Sequence, residues 1–299
     1  MTSGNGHAAV LTFTRPPRRV VSLVPSMTES LFDLGAGDSL VGVTDYCPLP
    51  IGAESIPRLG GTKSPRIEDV LNLAPELVIA NQEENTPEAV TRLEAGGAKV
   101  WVTFPRTVDD ALAILWVLVR LFQRHAAAPK VKTIEVTLEW TSRASAARSP
   151  ARVFCPIWKG EREDGRAWWM TFNAQTYAHD VLARCGGANV FAMRDRRYPL
   201  AAEFGEAPAQ DPEGKDVRYP RVTMEEIEAA DPEVILLPSE PFAFAEADRE
   251  QFRRDLAGSS AVRNGRVHLV DGSLITWHGT RLARALVELP PLLEGVAAS

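Results

Sequence analysis

Short apolar runs alternate with amphipathic stretches over the first hundred residues of the chain. The apolar runs are rich in β-branched residues, which is typical of buried strands in a parallel sheet. The strands are predicted at Arg19–Val24, Leu40–Thr44, Leu77–Ala80 and Lys99–Val102, and the helices at Thr28–Leu34, Ile67–Leu73 and Pro87–Ala95. Repeated strand–helix–strand units predict an α/β sheet with helical crossovers.

The pattern changes between residues 107 and 147, where strand signals and glycine are absent. Apolar residues recur there at helical spacing, and Pro129 is the only helix breaker, so we expect one long helix with a kink or two helices in series. The strand pattern resumes at Ala151–Cys155. A long helical segment therefore separates two α/β halves.

The two halves resemble each other. Ile67–Ala80 and Met224–Leu237 each read as a helix that begins with acidic residues, a Pro-Glu turn and a wholly apolar strand. Weaker similarities pair Val20–Val24 with Val153–Ile157 and Lys99–Thr103 with Arg266–Val270. Helix caps are predicted at comparable places, with Ser64 before Pro65 in one half and a capping box of Thr223 and Glu226 in the other. We interpret the halves as similar lobes; the alternative is that any two strand–helix units share such features.

Two similar lobes predict a ligand cleft between them, beside the carboxyl ends of the parallel strands. The predicted organisation is an N-terminal extension (1–17), a first α/β lobe (18–106), an interlobe helix (107–147) and a second α/β lobe (148–299).

Composition narrows the function classes. The 299 residues are 45% hydrophobic and 24% charged, as in an ordinary globular protein. The net charge of −6 disfavours a nucleic-acid binder, and no apolar stretch reaches the roughly 20 residues that a membrane span needs. Three cysteines cannot build a disulfide framework and are expected to be ordinary thiols, and five scattered histidines predict no metal site of the protein's own.

The first ten residues lack the charged and apolar regions of a secretory signal peptide. From this pattern the chain is either a cytoplasmic protein or a mature chain without its export signal.

Catalytic motifs are scarce, whereas aromatic residues stand at predicted loops and strand ends. The chain has no G-x-S-x-G, no H-E-x-x-H and no complete phosphate-binding glycine loop. An aromatic ring in a cleft offers rigid apolar area to a large planar ligand, although each ring alone is more often a core residue. The candidate ligand contacts are Tyr46, Trp158, Tyr219 and Trp277, with Arg281 for an anionic group. A rival hypothesis is a two-lobed α/β enzyme that uses Asp45, Glu83 or His278 as acid–base groups.

Several segments resemble the cobalamin- and ferric-siderophore-binding proteins of ABC importers. The resemblance runs from about residue 18 to residue 294. It rests on Arg19–Gly35, Val41–Cys47, Ile56–Gly61, Ile67–Ala80, Val222–Ile227, Pro232–Leu236 and Trp277–Leu282.

The resemblance implies two α/β lobes bridged by one long, rigid helix, with a ligand bound between them and no catalysis. In the cobalamin-binding members one glutamate on each lobe docks onto the membrane permease, and Glu68 and Glu225 match those positions. Tyr46 and Tyr219 match aromatic positions, whereas Thr62 and Asn81 stand where the closest cobalamin binders have tryptophan.

We therefore expect a monomeric solute-binding protein outside the cytoplasmic membrane that delivers a metal chelate, preferably a corrinoid, to an ABC permease. A ferric siderophore or haem is the alternative ligand. The chelate is the cargo, and no cofactor is expected.

Overall fold

A computed structural model describes residues 12–294. The chain divides into two compact units. The first contains the residues up to Glu135 together with Trp277–Leu282, and the second contains Val136–Thr276 and the residues from Ala283 onward. Within the described range, no helix is both long enough and apolar enough to cross a membrane.

The first unit is built on a four-stranded parallel sheet in the order β2-β1-β3-β4. Its core includes Val21, Leu23, Val78 and Val100, which are all buried. The elements are β1 (Val20–Ser22), α1 (Pro25–Asp33), β2 (Leu40–Val43), α2 (Ile67–Asn72), β3 (Leu77–Asn81), α3 (Pro87–Ala95), β4 (Val100–Thr103) and α4 (Val108–Leu121).

The segment expected to form a long interlobe helix consists of two helices, α4 and α5 (Ala128–Ala146). A turn with a left-handed residue, Gln123 (φ 52°), separates them. The indole nitrogen of Trp116 donates a 2.6 Å hydrogen bond to the Glu135 carboxylate. Along one straight helix these residues would be about 28 Å apart, so the chain reverses between α4 and α5 and does not form a single rod. The boundary between the units falls within α5.

The second unit also contains a four-stranded parallel sheet, in the order β11-β10-β5-β8. A smaller antiparallel sheet, β6-β7-β9, accompanies it. The elements are β5 (Ala151–Phe154), β6 (Trp158–Glu161), β7 (Ala167–Met170), α6 (Tyr177–Arg184), β8 (Gly187–Asn189), α7 (Leu200–Glu203), β9 (Arg221–Val222), α8 (Met224–Ala230), β10 (Val234–Pro238), α9 (Glu246–Asp255), α10 (Ser260–Arg263), β11 (Val267–Val270), α11 (Ser273–Thr276), α12 (Leu282–Glu288) and α13 (Pro290–Leu293).

The two parallel sheets have the same topology. When the strands of each sheet are numbered from one to four in chain order, both sheets have the spatial order two-one-three-four. In the second sheet these four strands are β5, β8, β10 and β11. The small sheet is an addition to this shared plan in the second unit. The predicted α/β class and the similarity of the two halves are confirmed.

The Pro-Glu turns that suggested a repeat have equivalent roles in the two units. The Glu76 carboxylate accepts a hydrogen bond from the backbone of Arg19, just before β1, and the Glu233 carboxylate accepts one from the backbone of Arg152, in β5. The residue before each proline is left-handed, with φ 46° at Ala74 and 38° at Asp231. The same turn therefore ties a helix end to the first strand of both sheets.

One of the two predicted caps is present. Thr223 and Glu226 form the capping box of α8, with hydrogen bonds of 3.0 and 3.3 Å. The predicted Ser64 cap is wrong, because α2 begins at Ile67. The backbone at positions 65 and 66 instead pairs with that of residues 59 and 60.

A late segment of the chain completes the first unit. Trp277–Leu282 contacts α1, where the backbone nitrogen of Thr280 donates to Ser30 Oγ at 3.1 Å and its hydroxyl donates to the Asp33 carboxylate at 2.6 Å. Gly279 has φ +92°, and a Cβ there would lie 2.2 Å from Ser30 Oγ. Only glycine allows this close approach without displacing α1.

Candidate functional site

The small antiparallel sheet of the second unit presents two different faces. Trp169 pairs with Val222, and both side chains are buried in the core of the unit beside Phe154 and Phe252. Because side chains alternate along a strand, the neighbours of Trp169 point to the opposite face.

That opposite face carries a row of side chains across all three strands. Trp158 on β6 lies opposite Met170 on β7, and Met170 lies opposite Arg221 on β9. Trp168, two residues before Met170, lies on the same face. We call Trp158, Trp168, Met170 and Arg221 the tryptophan face.

A glycine shapes the tryptophan face. Gly160 lies opposite Trp168, and a Cβ at Gly160 would lie 2.2 Å from the indole ring. The guanidinium carbon of Arg221 lies 5.0 Å from the centre of the same ring. The indole therefore lies over the Gly160 backbone with a cation on it, which is a favourable cation–π arrangement.

The tryptophan face lies beside the carboxyl ends of two parallel strands. Trp158 follows β5 and is 46% exposed, and its ring makes an edge-to-face contact with Phe242, which follows β10, at a centroid distance of 5.6 Å. The region just beyond the carboxyl ends of strands is where α/β proteins bind ligands. The face thus offers partly exposed aromatic and thioether surface at the expected edge of the sheet.

In the first unit, Tyr46 is the most open of the predicted contacts. It follows β2 and is 70% exposed, and its ring lies close to Gly61. Thr62, which the sequence resemblance matches to a tryptophan, accepts a 2.8 Å hydrogen bond from Asn85 through its carbonyl. Asn81, which the resemblance also matches to a tryptophan, is buried.

Trp277 and Arg281 contact each other in the first unit. The Arg281 guanidinium carbon is 5.1 Å from the centre of the indole, and the guanidinium donates to both carboxylate oxygens of Glu29 at 3.0 and 2.5 Å. Glu29 therefore balances the charge of Arg281 within this unit.

Tyr219 lies in the segment between β8 and β9 of the second unit. The Arg218 guanidinium carbon is 5.2 Å from the centre of its ring, and Arg218 also donates to the Asp216 carboxylate. The structure thus places Trp158 and Tyr219 in one unit and Tyr46, Trp277 and Arg281 in the other.

The three acid–base candidates all lie in the first unit but differ in environment. His278 is buried, with Nε2 3.3 Å from the Asn81 amide nitrogen, and burial lowers its pKa to about 4. The Asp45 side chain is exposed, and the Glu83 carbonyl accepts a hydrogen bond from the Lys63 ammonium. Among residues 12–294, no three His, Cys, Asp or Glu side chains are grouped as metal ligands.

The two docking candidates occupy equivalent places. Glu68 is the second residue of α2 and Glu225 the second residue of α8, and both are exposed. A hydrogen bond with Thr223 lowers the pKa of Glu225, and the charges of Arg166 and Arg162 lower it further. Both glutamates therefore present a carboxylate at the surface of matching helices.

Sequence reasoning identified Trp158 but not the face to which it belongs. Trp168, Met170 and Arg221 were not among the predicted contacts. The signal for the first two is the Ala167–Met170 stretch, because two adjacent tryptophans in one strand point to opposite faces and only one of them can enter the core.

Comparison with known proteins gives relatives that are named as vitamin B12-binding proteins. The vitamin B12-binding protein of Vibrio cholerae serotype O1 is 26% identical over 257 residues, which cover 84% of this chain and 80% of that protein. The vitamin B12-binding protein of Yersinia pestis is 28% identical over 224 residues, covering 73% and 69% of the two chains.

Solved structures share the fold. The periplasmic vitamin B12 binding protein BtuF of Vibrio cholerae aligns with a TM-score of 0.73 and 24% identity, over 93% of this chain and 96% of that one. The periplasmic heme-binding protein RhuT from Roseiflexus sp. RS-1 aligns with a TM-score of 0.68 and 20% identity, over 92% and 97%.

A sequence profile of the periplasmic binding proteins matches residues 20–274, which is most of the chain and includes both parallel sheets. The chain therefore belongs to the periplasmic binding protein family.

Proposed function

We propose that this protein binds a corrinoid-type metal chelate without altering it and delivers it to the permease of an ABC importer outside the cytoplasmic membrane. The tryptophan face carries the proposal. A corrinoid is a large ring with apolar edges and faces, and Trp158, Trp168 and Met170 offer a broad apolar surface beside the strand ends. Relatives named as vitamin B12-binding proteins support this choice of ligand.

Binding without chemistry fits the surroundings of the acid–base candidates. A general acid or base must reach its substrate and titrate near the working pH. His278 is buried and has a pKa of about 4, so it is a neutral group in the interior at pH 7. Its contact with Asn81 supports a structural role.

The equivalent positions of Glu68 and Glu225 support docking to a permease. Exposed charges at matched positions of two similar units suit a partner with two matching cationic sites, and such charges mainly steer association. An acid in a first helical turn also stabilises its helix by about 0.3–1 kcal/mol, so docking has to be tested apart from stability.

Calorimetric titration of the purified protein tests the proposed ligand. We expect saturable binding of cyanocobalamin at one molecule per chain, with a Kd below about 1 µM, equivalent to about −8.2 kcal/mol. Hemin is titrated as well, because solved structures of the same fold include heme-binding proteins. A ferric catecholate chelate is titrated to represent the alternative siderophore ligand.

Binding of hemin or the ferric chelate without any binding of cobalamin would overturn the choice of corrinoid. Turnover of a bound chelate, seen as a new species in the chromatogram after incubation, would overturn binding without chemistry.

A further inference from the structure

The turn that follows β2 carries Tyr46 at one of its two central positions. The turn consists of Thr44, Asp45, Tyr46 and Cys47, and it is closed by a 3.2 Å hydrogen bond from the backbone nitrogen of Cys47 to the Thr44 carbonyl. The two end residues are buried, whereas the two central residues are exposed. A turn of this length fixes the direction in which its central side chains leave the backbone.

One side-chain nitrogen of Arg58 binds three of the four carbonyl groups of this turn. Its Nη1 donates to the carbonyl oxygens of Thr44, Asp45 and Cys47 at 2.8, 3.2 and 2.7 Å. Since Nη1 carries two hydrogens, one of them is shared between two of these oxygens. Three carbonyl oxygens that point towards one place repel one another, and a charged donor at that place stabilises them.

The backbone around Arg58 is attached to β2. The Val43 nitrogen donates to the Pro57 carbonyl at 3.0 Å, and the Leu59 nitrogen donates to the Val43 carbonyl at 2.8 Å. Arg58 thereby pairs with Val43 in parallel register. Because Val43 is the last residue of β2, the guanidinium and the turn are both held by the end of the same strand.

The two ends of the turn have a further anchor. Sγ of Cys47 lies 3.1 Å from the hydroxyl oxygen of Thr44 and accepts a hydrogen bond of 3.1 Å from the hydroxyl of Thr28 on α1. The carbonyl of Asp45, which belongs to the peptide bond with Tyr46, is bound by Arg58. The orientation of this central peptide therefore depends on the guanidinium.

We infer that Arg58 is a positioning residue whose guanidinium holds the Thr44–Cys47 turn in the conformation that presents Tyr46 to the bound chelate. The inference rests on the proposed function, because it uses Tyr46 as a ligand contact. The Tyr46 ring is 70% exposed, and a Cβ on Gly61 would lie 3.6 Å from its Cε2 atom. The turn thus holds the ring beside the Gly61 backbone with most of its surface open, and a contact that is ordered in advance costs less to order upon binding.

Fluorine NMR of protein that contains fluorotyrosine tests the positioning without any ligand. The chain has four tyrosines, and the Tyr46 resonance is assigned by its loss in Tyr46→Phe. We expect one narrow Tyr46 resonance in the wild type and in Arg58→Lys, whose ammonium still donates to several carbonyls. Arg58→Met removes the charge and the N–H donors, so its Tyr46 resonance should shift or broaden. The other tyrosine resonances should keep their wild-type positions, which shows that the fold is intact.

Calorimetric titration with cyanocobalamin connects the turn to binding. We expect Arg58→Met to weaken binding about five- to tenfold and Arg58→Lys to weaken it less than about twofold. In a Tyr46→Ala background, Arg58→Met should have less than about a twofold further effect, because the guanidinium acts through the tyrosine. Arg92→Met is the matched control, since Arg92 is exposed on α3 of the same unit, and it should change neither the affinity nor the spectrum.

A Tyr46 resonance in Arg58→Met that is identical to that of the wild type would overturn the positioning role. Equal losses of affinity when Arg58→Met is added to the wild type and to Tyr46→Ala would also overturn it, because the guanidinium would then not act through Tyr46.

Wild-type affinity for cyanocobalamin in Arg58→Met or in Tyr46→Ala would overturn the link between the turn and binding while the proposed function stands. If the wild type binds neither cyanocobalamin nor hemin, the proposed function fails, and the fluorine spectra alone decide whether Arg58 positions Tyr46.

Discussion

Asn81 and His278 are 197 positions apart in the sequence, yet Nδ2 of Asn81 lies 3.3 Å from Nε2 of His278 inside the first unit. Asn81 ends a strand that is buried throughout, and His278 belongs to the late segment that contacts α1. The contact joins the sheet of the first unit to a segment near the end of the chain. Burial lowers the pKa of His278 from 6.5 to about 4, so the folded protein holds this imidazole neutral.

Stability should therefore depend on pH through His278. The unfolded chain takes up a proton on this imidazole near pH 6.5, whereas the folded protein does so only near pH 4. The free energy of unfolding should fall as the pH drops from about 6.5 to about 4, by up to about 3 kcal/mol, and this residue should add no pH dependence above that window. Urea unfolding at several pH values measures the slope, which His278→Gln should reduce.

His125 provides the control for this experiment because it is exposed. We expect His125→Gln to keep the wild-type slope. An unchanged slope in His278→Gln would show that the buried imidazole does not govern acid stability.

The tryptophan face should carry much of the affinity for the chelate. Burying a large apolar side chain against a ligand contributes about 1.5–3 kcal/mol, which corresponds to roughly 10- to 150-fold in affinity. We expect Trp158→Ala and Trp168→Ala each to weaken binding within this range in calorimetric titrations. Trp140→Ala is the control, since Trp140 is 70% exposed on α5 and outside the face, and its affinity should match the wild type. Full affinity in both face variants would place the ligand elsewhere.

A substitution that adds atoms tests the geometry of the same face. Gly160→Val should push the Trp168 indole away, because even the Cβ atom that the substitution adds would lie 2.2 Å from the ring. We expect weaker ligand binding and a changed tryptophan fluorescence spectrum in a folded protein. Gly258→Val serves for comparison, because a Cβ there meets nothing within 4 Å. Wild-type affinity in Gly160→Val would mean that the position of the Trp168 ring is unimportant for binding.

Docking to the permease should depend on both matched glutamates. We expect Glu68→Gln combined with Glu225→Gln to keep ligand affinity and to abolish stimulation of the permease ATPase in proteoliposomes. Glu88→Gln is the control, since Glu88 is also exposed and is the second residue of a helix, α3. Loss of ligand affinity in the double variant, or full stimulation by it, would contradict the docking role.

The three thiols should be unreactive in the folded protein. Cys47, Cys155 and Cys185 are free and buried, and desolvation raises the pKa of each, to about 12 for Cys185. Because the thiolate is the nucleophile, Ellman's reagent should label none of them at pH 8 until the protein is unfolded in urea. Rapid labelling of the native protein would show that one of these thiols is accessible.

Local patterns were sufficient to predict the four strands of the first parallel sheet and three of the four strands of the second, but neither β8 nor the order of the strands. The Pro-Glu turn occurs in both halves because Glu76 and Glu233 each accept a backbone hydrogen bond at the first strand of their sheet. The same interaction requires the same residue at the same place, so it is visible in the sequence. The break between α4 and α5 was predicted only as one of two alternatives, a kinked helix or two helices in series, and its position was not predicted. It depends on a left-handed Gln123 and on the Trp116–Glu135 contact, and neither leaves a glycine or proline at the turn itself.

The candidate site was only partly predictable because its pieces come from distant parts of the chain. Arg221 joins the tryptophan face through the pairing of β9 with β7, and a long charged segment separates these two strands in the sequence. No periodicity within that segment reveals the pairing. Arg281 stays a predicted ligand contact, and the sequence did not indicate that Glu29 on α1 binds its guanidinium.

The placement of Trp277–Leu282 in the first unit has a consequence for protein synthesis. N-terminal domains generally fold first as they leave the ribosome. Here the polypeptide that contacts Ser30 and Asp33 is translated after the whole of Val136–Thr276, so the first unit reaches its final form only after most of the second unit has been synthesised.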